Sequence, residues 1–321
     1  MLRRSLFAAP ALLALPALAQ GGWSPDRPIR VIYPYPPGGG GDIVGRLVTE
    51  RMREDLGQPI LFENRPGAAG LVGAELAARA PKDGYTVLLT AAALAIAPAV
   101  YRRMSFDPLR DLTALVLLTT LPLLIVTRPN GPLRDFAGLL AAARAEPDRI
   151  TYATFGIGSP PHLVGERLLQ ETGTRMTHVP YTGGSVALPA ILSGDVSIGI
   201  LDGMSMLAHV REGRLRALAV SAERRMPQLP DVPTLAELGV PVTQGTWHGT
   251  FVPAGTPEAA VQRLHAAFVR AVNEPAVRDR ILTGGAVPVD PPLSPAEWGR
   301  RFAGEVETWR AVAQRANVVV E

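Results

Sequence analysis

The chain has 321 residues, 32 Lys+Arg against 29 Asp+Glu for a formal charge of +3, 47% apolar residues and no cysteine. Charges of both signs are scattered without a block, so nucleic acid is not an expected partner. The lack of Cys excludes disulfides, thiolate metal sites and thiol nucleophiles.

Arg3 and Arg4, an apolar run from Leu6 to Leu18, and the small-residue end Ala17-Leu18-Ala19 read as an export signal over residues 1–19. The run is short and interrupted by proline, which argues against a membrane span. The two arginines fit a twin-arginine signal and an ordinary basic leader alike, so the export route, Sec or Tat, stays open. The mature chain is expected to be soluble in the periplasm, without insertion into the membrane. At about 300 residues it is long enough to split into two domains stabilised by their cores alone.

Short β-branched runs alternate with amphipathic stretches, the pattern of α/β units with parallel strands covered by helices. Strands are expected at Ile29–Tyr33, Ile60–Phe62, Thr86–Thr90, Leu121–Thr127, Ile150–Thr154, Val196–Leu201, Ala217–Ser221 and Thr250–Val252. Asp42 precedes a helix with Ile43, Val44, Leu47, Val48 and Met52 on one face and Gly57 at its end. Ser294-Pro295-Ala296-Glu297 is a capping box with proline at the first helical position, and Trp298, Phe302, Val306 and Trp309 follow at helical spacing as a core stripe. We place one lobe at 23–124 plus 247–321 and a second at 125–246, so that two crossings form a hinge.

Four loops at strand ends carry the chemistry. The first runs from Tyr33 through Pro37, Gly38, Gly39, Gly40 and Gly41 to Asp42. Its glycines let the backbone approach a ligand, and the helix N-terminus behind it suits an anion. No G-x-G-x-x-G begins at Gly38 or Gly39, and Arg46-Leu47 stands where a phosphate loop needs Lys-Ser or Lys-Thr, which argues against a nucleotide. A tight turn without a ligand is the plain alternative. The second loop, Glu63 to Gly70, offers Gly67 and Ala68 to the same crevice, while Arg65 reads as a partner of Glu63 before a partner of a ligand.

The third loop, Gly156 to Leu163, places Ser159 as the N-cap of a helix and His162 in its first turn. Ser159, His162 and Asp202 supply the residue types of a hydrolytic triad, but two prolines follow Ser159 where a nucleophile elbow needs x-Gly. The fourth loop, Val179 to Ser185, contains Tyr181 and Gly183, and Asp202 closes a further strand. The five His show no metal-ligand spacing, so neither a metal nor a cofactor is predicted.

In chain order, Pro25-Asp26-Arg27-Pro28-Ile29-Arg30, Pro36-Pro37-Gly38-Gly39 with Asp42, Glu63-Asn64-Arg65-Pro66-Gly67-Ala68, Pro81-Lys82-Asp83-Gly84-Tyr85-Thr86, Gly156 with Ser159 and His162, His178-Val179-Pro180-Tyr181, Leu229-Pro230-Asp231-Val232-Pro233-Thr234 and Pro253-Ala254-Gly255-Thr256-Pro257 together resemble the extracytoplasmic receptors of tripartite tricarboxylate transporters, the Bug family. The resemblance implies a Venus-flytrap α/β fold of the periplasmic binding protein kind, a monomer without enzymatic activity. It would close on a small carboxylate held by the first glycine loop and the loop from Gly156 to His162, and would deliver it to membrane permease subunits. A ligand-sensing receptor feeding a two-component system would use the same fold. The chain departs from the family at Pro37, where Ala is usual, and at Gly41, where Thr or Ser is usual. It departs again at Thr90-Ala91-Ala92-Ala93-Leu94, a wall more apolar than its counterparts, which favours a monocarboxylate with an apolar or aromatic body over citrate.

Overall fold

A computed structural model of the chain describes residues 22–181 and 184–320. The expected signal segment and Gly183 lie outside the described residues. The strands form two mixed sheets. The first contains β1 (Ile29–Tyr33), β2 (Ile60–Asn64), β3 (Thr86–Ala91), β4 (Leu112–Leu121), β10 (Thr246–Pro253) and β11 (Val287–Pro288), in the order β11-β4-β10-β3-β1-β2. The second contains β5 (Leu123–Thr127), β6 (Thr151–Thr154), β7 (Thr177–Pro180), β8 (Ile198–Asp202) and β9 (Arg216–Ser221), in the order β7-β6-β8-β5-β9.

Helices α1 (Gly40–Leu56), α2 (Leu71–Ala78), α3 (Ala93–Val100) and α4 (Pro108–Asp111) intervene in the first half. They are followed by α5 (Phe136–Ala145), α6 (Pro160–Thr172), α7 (Gly184–Ser193) and α8 (Gly203–Arg211), and the chain ends with α9 (Glu258–Asn273), α10 (Pro275–Thr283) and α11 (Pro295–Ala316).

The central strands of the first sheet are apolar throughout because both faces are covered. Ile29, Val31 and Tyr33 point with Val87 and Leu89 to the side packed by Val44, Val48 and Met52 of α1 and Leu264 and Phe268 of α9. Ile32 and Leu88 point the other way, into a cluster with Trp298, Phe302, Val306 and Trp309 of α11. That cluster continues through Ile125, Leu139 and Tyr152 of the second sheet and its cover. The capping box at Ser294 forms as expected, with Glu297 returning a bond to the N-cap N–H. Ile43 is a correction: it is 44% exposed, and the buried stripe of α1 runs through Val44, Val48 and Met52 instead.

Strands β4, β7 and β11 were not expected. A strand was expected at Leu121–Thr127, but Pro122 falls inside that span and separates β4 from β5. Proline supplies no ladder N–H, so β4 stops and the chain turns into the other sheet. Leu123 and Leu124 already belong to the second sheet, and the return passes through 222–245.

This topology brings the ligand-type loops together. β1, β2 and β3 are mutually parallel, so Tyr33, Asn64 and Ala91 end on one edge. β10 is antiparallel to β3 and β4, which brings Thr246 and Leu121 to that same edge. In the second sheet β6, β7 and β8 end together, and antiparallel β5 begins beside the end of β8, with Leu123 opposite Asp202. The carboxyl edges of both sheets therefore meet at Pro122, the position where open α/β sheets bind ligands.

Candidate ligand-binding site

At the end of β1, α1 begins without a side-chain cap: Gly39 is the N-cap, and no side chain bonds to the helix start. The N–H groups of Gly39, Gly40, Gly41 and Asp42 have no partner among the described residues. They are the orphan donors every helix N-terminus leaves, and they carry the positive end of the helix dipole. A Cβ at Gly38 or Gly39 would meet nothing within 4 Å, so this face of the loop is open.

Asp42 does not compete for that space. Its carboxylate accepts from Gly38 N–H (3.1 Å), Asn64 Nδ2 (2.8 Å) and Arg46 Nε (3.0 Å), which ties the loop to α1 and to the end of β2. Burial alone would raise its pKa, but Arg46, Asn64 and the Gly38 N–H outweigh burial and hold it below the usual range. Asp42 is therefore the fastener of the loop, and Pro37 within it is exposed. Beneath the loop, a Cβ on Gly41 would lie 2.7 Å from His248 Nε2 and would also strike the Tyr33 hydroxyl. His248 is fixed by Thr119 Oγ1 at 3.0 Å, and burial keeps it neutral with a pKa of about 4. Above it, the thioether of Met204 from α8 lies against Gly40, with its methyl 2.8 Å from where a Cβ would be.

The second loop adds a smaller concavity. Gly67, Ala68, Ala69 and Gly70 all have positive φ, an unfavourable backbone for the two alanines. They form a short turn whose Ala68 and Ala69 N–H groups are unbonded among the described residues. The result is the kind of N–H nest that attracts anions. Arg65 pairs with Glu63 at 2.9 Å, and Arg30 shares the same carboxylate. Thr90 is buried at the end of β3 and Ala91 is half-buried beside it. Ala92 and Leu94 lie in the core, which removes them from the apolar wall expected from the sequence.

The second sheet supplies a different environment. Ser159 caps α6 by accepting from His162 N–H at 3.4 Å, and its hydroxyl donates to Gly156 O at 2.7 Å. Gly158 N–H donates to His162 Nδ1 at 3.1 Å, and Gly156 N–H donates to Thr154 Oγ1 at 3.2 Å. His162 stacks on His178 with ring centres 3.9 Å apart, and burial, with His178 second, keeps it neutral at about 3. Gly156, Ser159 and His162, expected to contact the ligand, are thus tied to one another and to Thr154 by these bonds.

Asp202 caps α8 through Ser205 N–H at 2.8 Å, and burial raises its carboxyl against that bond. Among the described residues, no hydrogen bond links the side chains of Ser159, His162 and Asp202, so the triad residue types do not assemble. Tyr181 closes β7 with its N–H on Thr154 O at 3.1 Å. The described residues hold no group of three or more His, Asp or Glu suited to a metal.

The family model for "Tripartite tricarboxylate transporter family receptor" matches residues 44–318. The chain belongs to this receptor family. Solved structures similar to this receptor include the periplasmic binding protein BugD (30% identity, TM-score 0.78, covering 92% of this chain and 100% of that one). An R. palustris protein solved with adipate is similar at 30% identity and TM-score 0.79, covering 92% and 99%. MatC from Rhodopseudomonas palustris, solved with bound malate, is similar at 33% identity and TM-score 0.76, covering 90% and 99%. The receptor fold is thus the two-lobed α/β arrangement of periplasmic binding proteins.

Several site residues carry little sequence signal. Asn64 lies two residues beyond the strand expected at Ile60–Phe62, yet it ends β2 in register with Tyr33. Arg46 falls one turn after Asp42, the spacing of a helical ion pair. Met204 and His248 reach Gly40 and Gly41 from far along the chain, and no local pattern announces them.

Proposed function

We propose that this protein is an extracytoplasmic solute receptor that captures a small carboxylate between two lobes, 22–121 with 246–320 and 123–245, and hands it to a tripartite tricarboxylate-type permease. The observation that carries the reading is the uncapped start of α1 at the carboxyl edge of the sheet, where no side chain caps the helix and four successive N–H groups have no partner among the described residues. Charge-assisted bonds from such groups contribute about 1.5–3 kcal/mol each, so two or three suffice to hold a carboxylate without a buried arginine. Gly67 and Ala68 contribute to the same side. The second lobe acts chiefly as a wall that moves, through Met204, Gly156 and Tyr181. Closure about Pro122 and 222–245 is a shift between two packings driven by ligand contacts, and the closed face is what a permease would recognise. The two R. palustris proteins solved with adipate and with malate support a carboxylate as the ligand class.

A thermal-shift screen of residues 22–321 against a carboxylate panel tests the reading. An acid at a hundred times its dissociation constant adds about 2.7 kcal/mol of stability. Stabilisation by an amine or sugar and by no carboxylate would refute it.

A further inference from the structure

The chain has no cysteine, so the thioethers of methionine are the sulfur groups that a peroxide can oxidise. Access then decides which of them reacts first. Met52, Met176, Met206 and Met226 are buried, whereas Met104 and Met204 are half-buried. Met104 lines a pocket of the first lobe between α3, α4 and α11, with Tyr101 and Leu109. Met204 stands in the first turn of α8 in the second lobe and reaches across to the first. Its thioether lies against Gly40: a Cβ there would be 2.8 Å from the methyl carbon and closer still to Sδ. The same methyl lies 3.5 Å from where a Cβ on Gly284 would be. Gly40 belongs to the uncapped start of α1, whose N–H groups have no partner among the described residues. A thioether is a weak acceptor and leaves such donors free, but a sulfoxide is polar and carries an oxygen that can accept from them.

Resting on the carboxylate-receptor reading, we infer that Met204 is an oxidation site whose sulfoxide switches ligand capture off. A hydroperoxide transfers one oxygen atom to Sδ: a sulfur lone pair forms the S–O bond as the O–O bond breaks, the thioether is oxidised, and the reduced peroxide leaves as water or an alcohol. The new oxygen, carried on a flexible side chain already in place, accepts from the N–H groups beside Gly40 where a ligand carboxylate would. It is a tethered competitor, present at an effective concentration that a free acid must overcome. A dithiol-dependent reductase reverses the step, removing the oxygen as water while the dithiol becomes a disulfide.

The test oxidises wild type, Met104→Leu and Met204→Leu with hydrogen peroxide and maps the sulfoxides by peptide mass spectrometry. Each protein is titrated by calorimetry with the carboxylates of the thermal screen, adipate and malate among them, and is compared with its own unoxidised form, so that any effect of the leucine itself cancels. Wild type and Met104→Leu should bind at least tenfold more weakly once oxidised, and Met204→Leu should change by less than about twofold. Reductases for both sulfoxide epimers should restore the wild type. Met204 left intact while the buried methionines react, an equal loss in Met204→Leu, or no loss in wild type fully oxidised at Met204 would each overturn the inference while leaving the receptor reading intact. A loss that the reductases do not reverse, or that comes with loss of cooperative melting, would overturn it in the same way. An unoxidised wild type that binds no carboxylate would refute both.

Discussion

The four glycines of the first loop should respond differently to alanine, because each has a different reason to lack a side chain. At Gly41 the backbone is ordinary, but a Cβ would lie 2.7 Å from His248 Nε2 and 2.9 Å from His248 Cδ2, with the Tyr33 hydroxyl also in the way. Tyr33 and His248 are both buried, and His248 is tied to Thr119, so neither yields easily. Overpacking of this kind costs about 1–3 kcal/mol, or about 2–12 °C in melting temperature at about 2–4 °C per kcal/mol.

Gly39→Ala provides the control. Its φ is −76° and nothing lies within 4 Å, so only a few tenths of a kcal/mol at the N-cap are at stake. Gly38→Ala meets no atom either but must hold φ at 87°, which costs about 1 kcal/mol. Gly40→Ala presses on Met204, a flexible side chain that can move, and should fall between Gly39→Ala and Gly41→Ala. Differential scanning fluorimetry of the four variants reads the order. If Gly41→Ala melts with Gly39→Ala, Tyr33 and His248 are not pressed against α1 and the account of the loop is wrong.

Three further outcomes follow from the geometry. His162, His178 and His248 are held neutral by burial at about 3, 4 and 4, against 6.5 when unfolded, so the unfolded chain binds more protons between those values. Stability should be flat above about pH 7 and fall as pH drops from 6.5 towards 4, and a melting temperature constant down to pH 4.5 would contradict this. Asp42→Ala frees Gly38 N–H and Asn64 and unpairs Arg46, and should cost about 2 kcal/mol of stability and weaken acid binding. An unaltered denaturant midpoint would count against its fastening role. Gly285 holds φ at 88° with its α-carbon against the Gly203 backbone, where a Cβ would come within 2.8 Å of Gly203 C and O. Gly285→Ala should therefore hold the lobes apart, and small-angle scattering should show a larger radius of gyration with saturating acid than for wild type. An identical radius would refute this.

Much of the fold was legible because its rules are local. The continuous apolar runs of Ile29–Tyr33 and Thr86–Ala91, the capping box at Ser294 and the Ser159 cap all follow from side chains within a few residues of one another. The division at Pro122, inside the strand expected at Leu121–Thr127, was missed because the turn between sheets depends on which strands β4 and β5 later pair with. The uncapped helix start at Gly38–Gly41 was legible for a local reason too, a glycine run opening a helix. The internal bonding of the second-lobe loop was not legible, because it depends on contacts that local sequence does not specify. One is the Nδ1 of His162, whose ring is set by stacking on His178 from another strand.

The claim that the ligand carboxylate sits on the start of α1 is tested most directly by Gly39→Pro, which deletes one backbone donor and little else. The φ of −76° at Gly39 suits proline, and the N–H it removes has no protein partner. Titration calorimetry with the acid that most stabilises the wild type should give an affinity at least tenfold lower for Gly39→Pro, while the unliganded protein melts within about 2 °C of wild type. Equal affinity in a folded Gly39→Pro would show that the carboxylate is held elsewhere and would contradict the account.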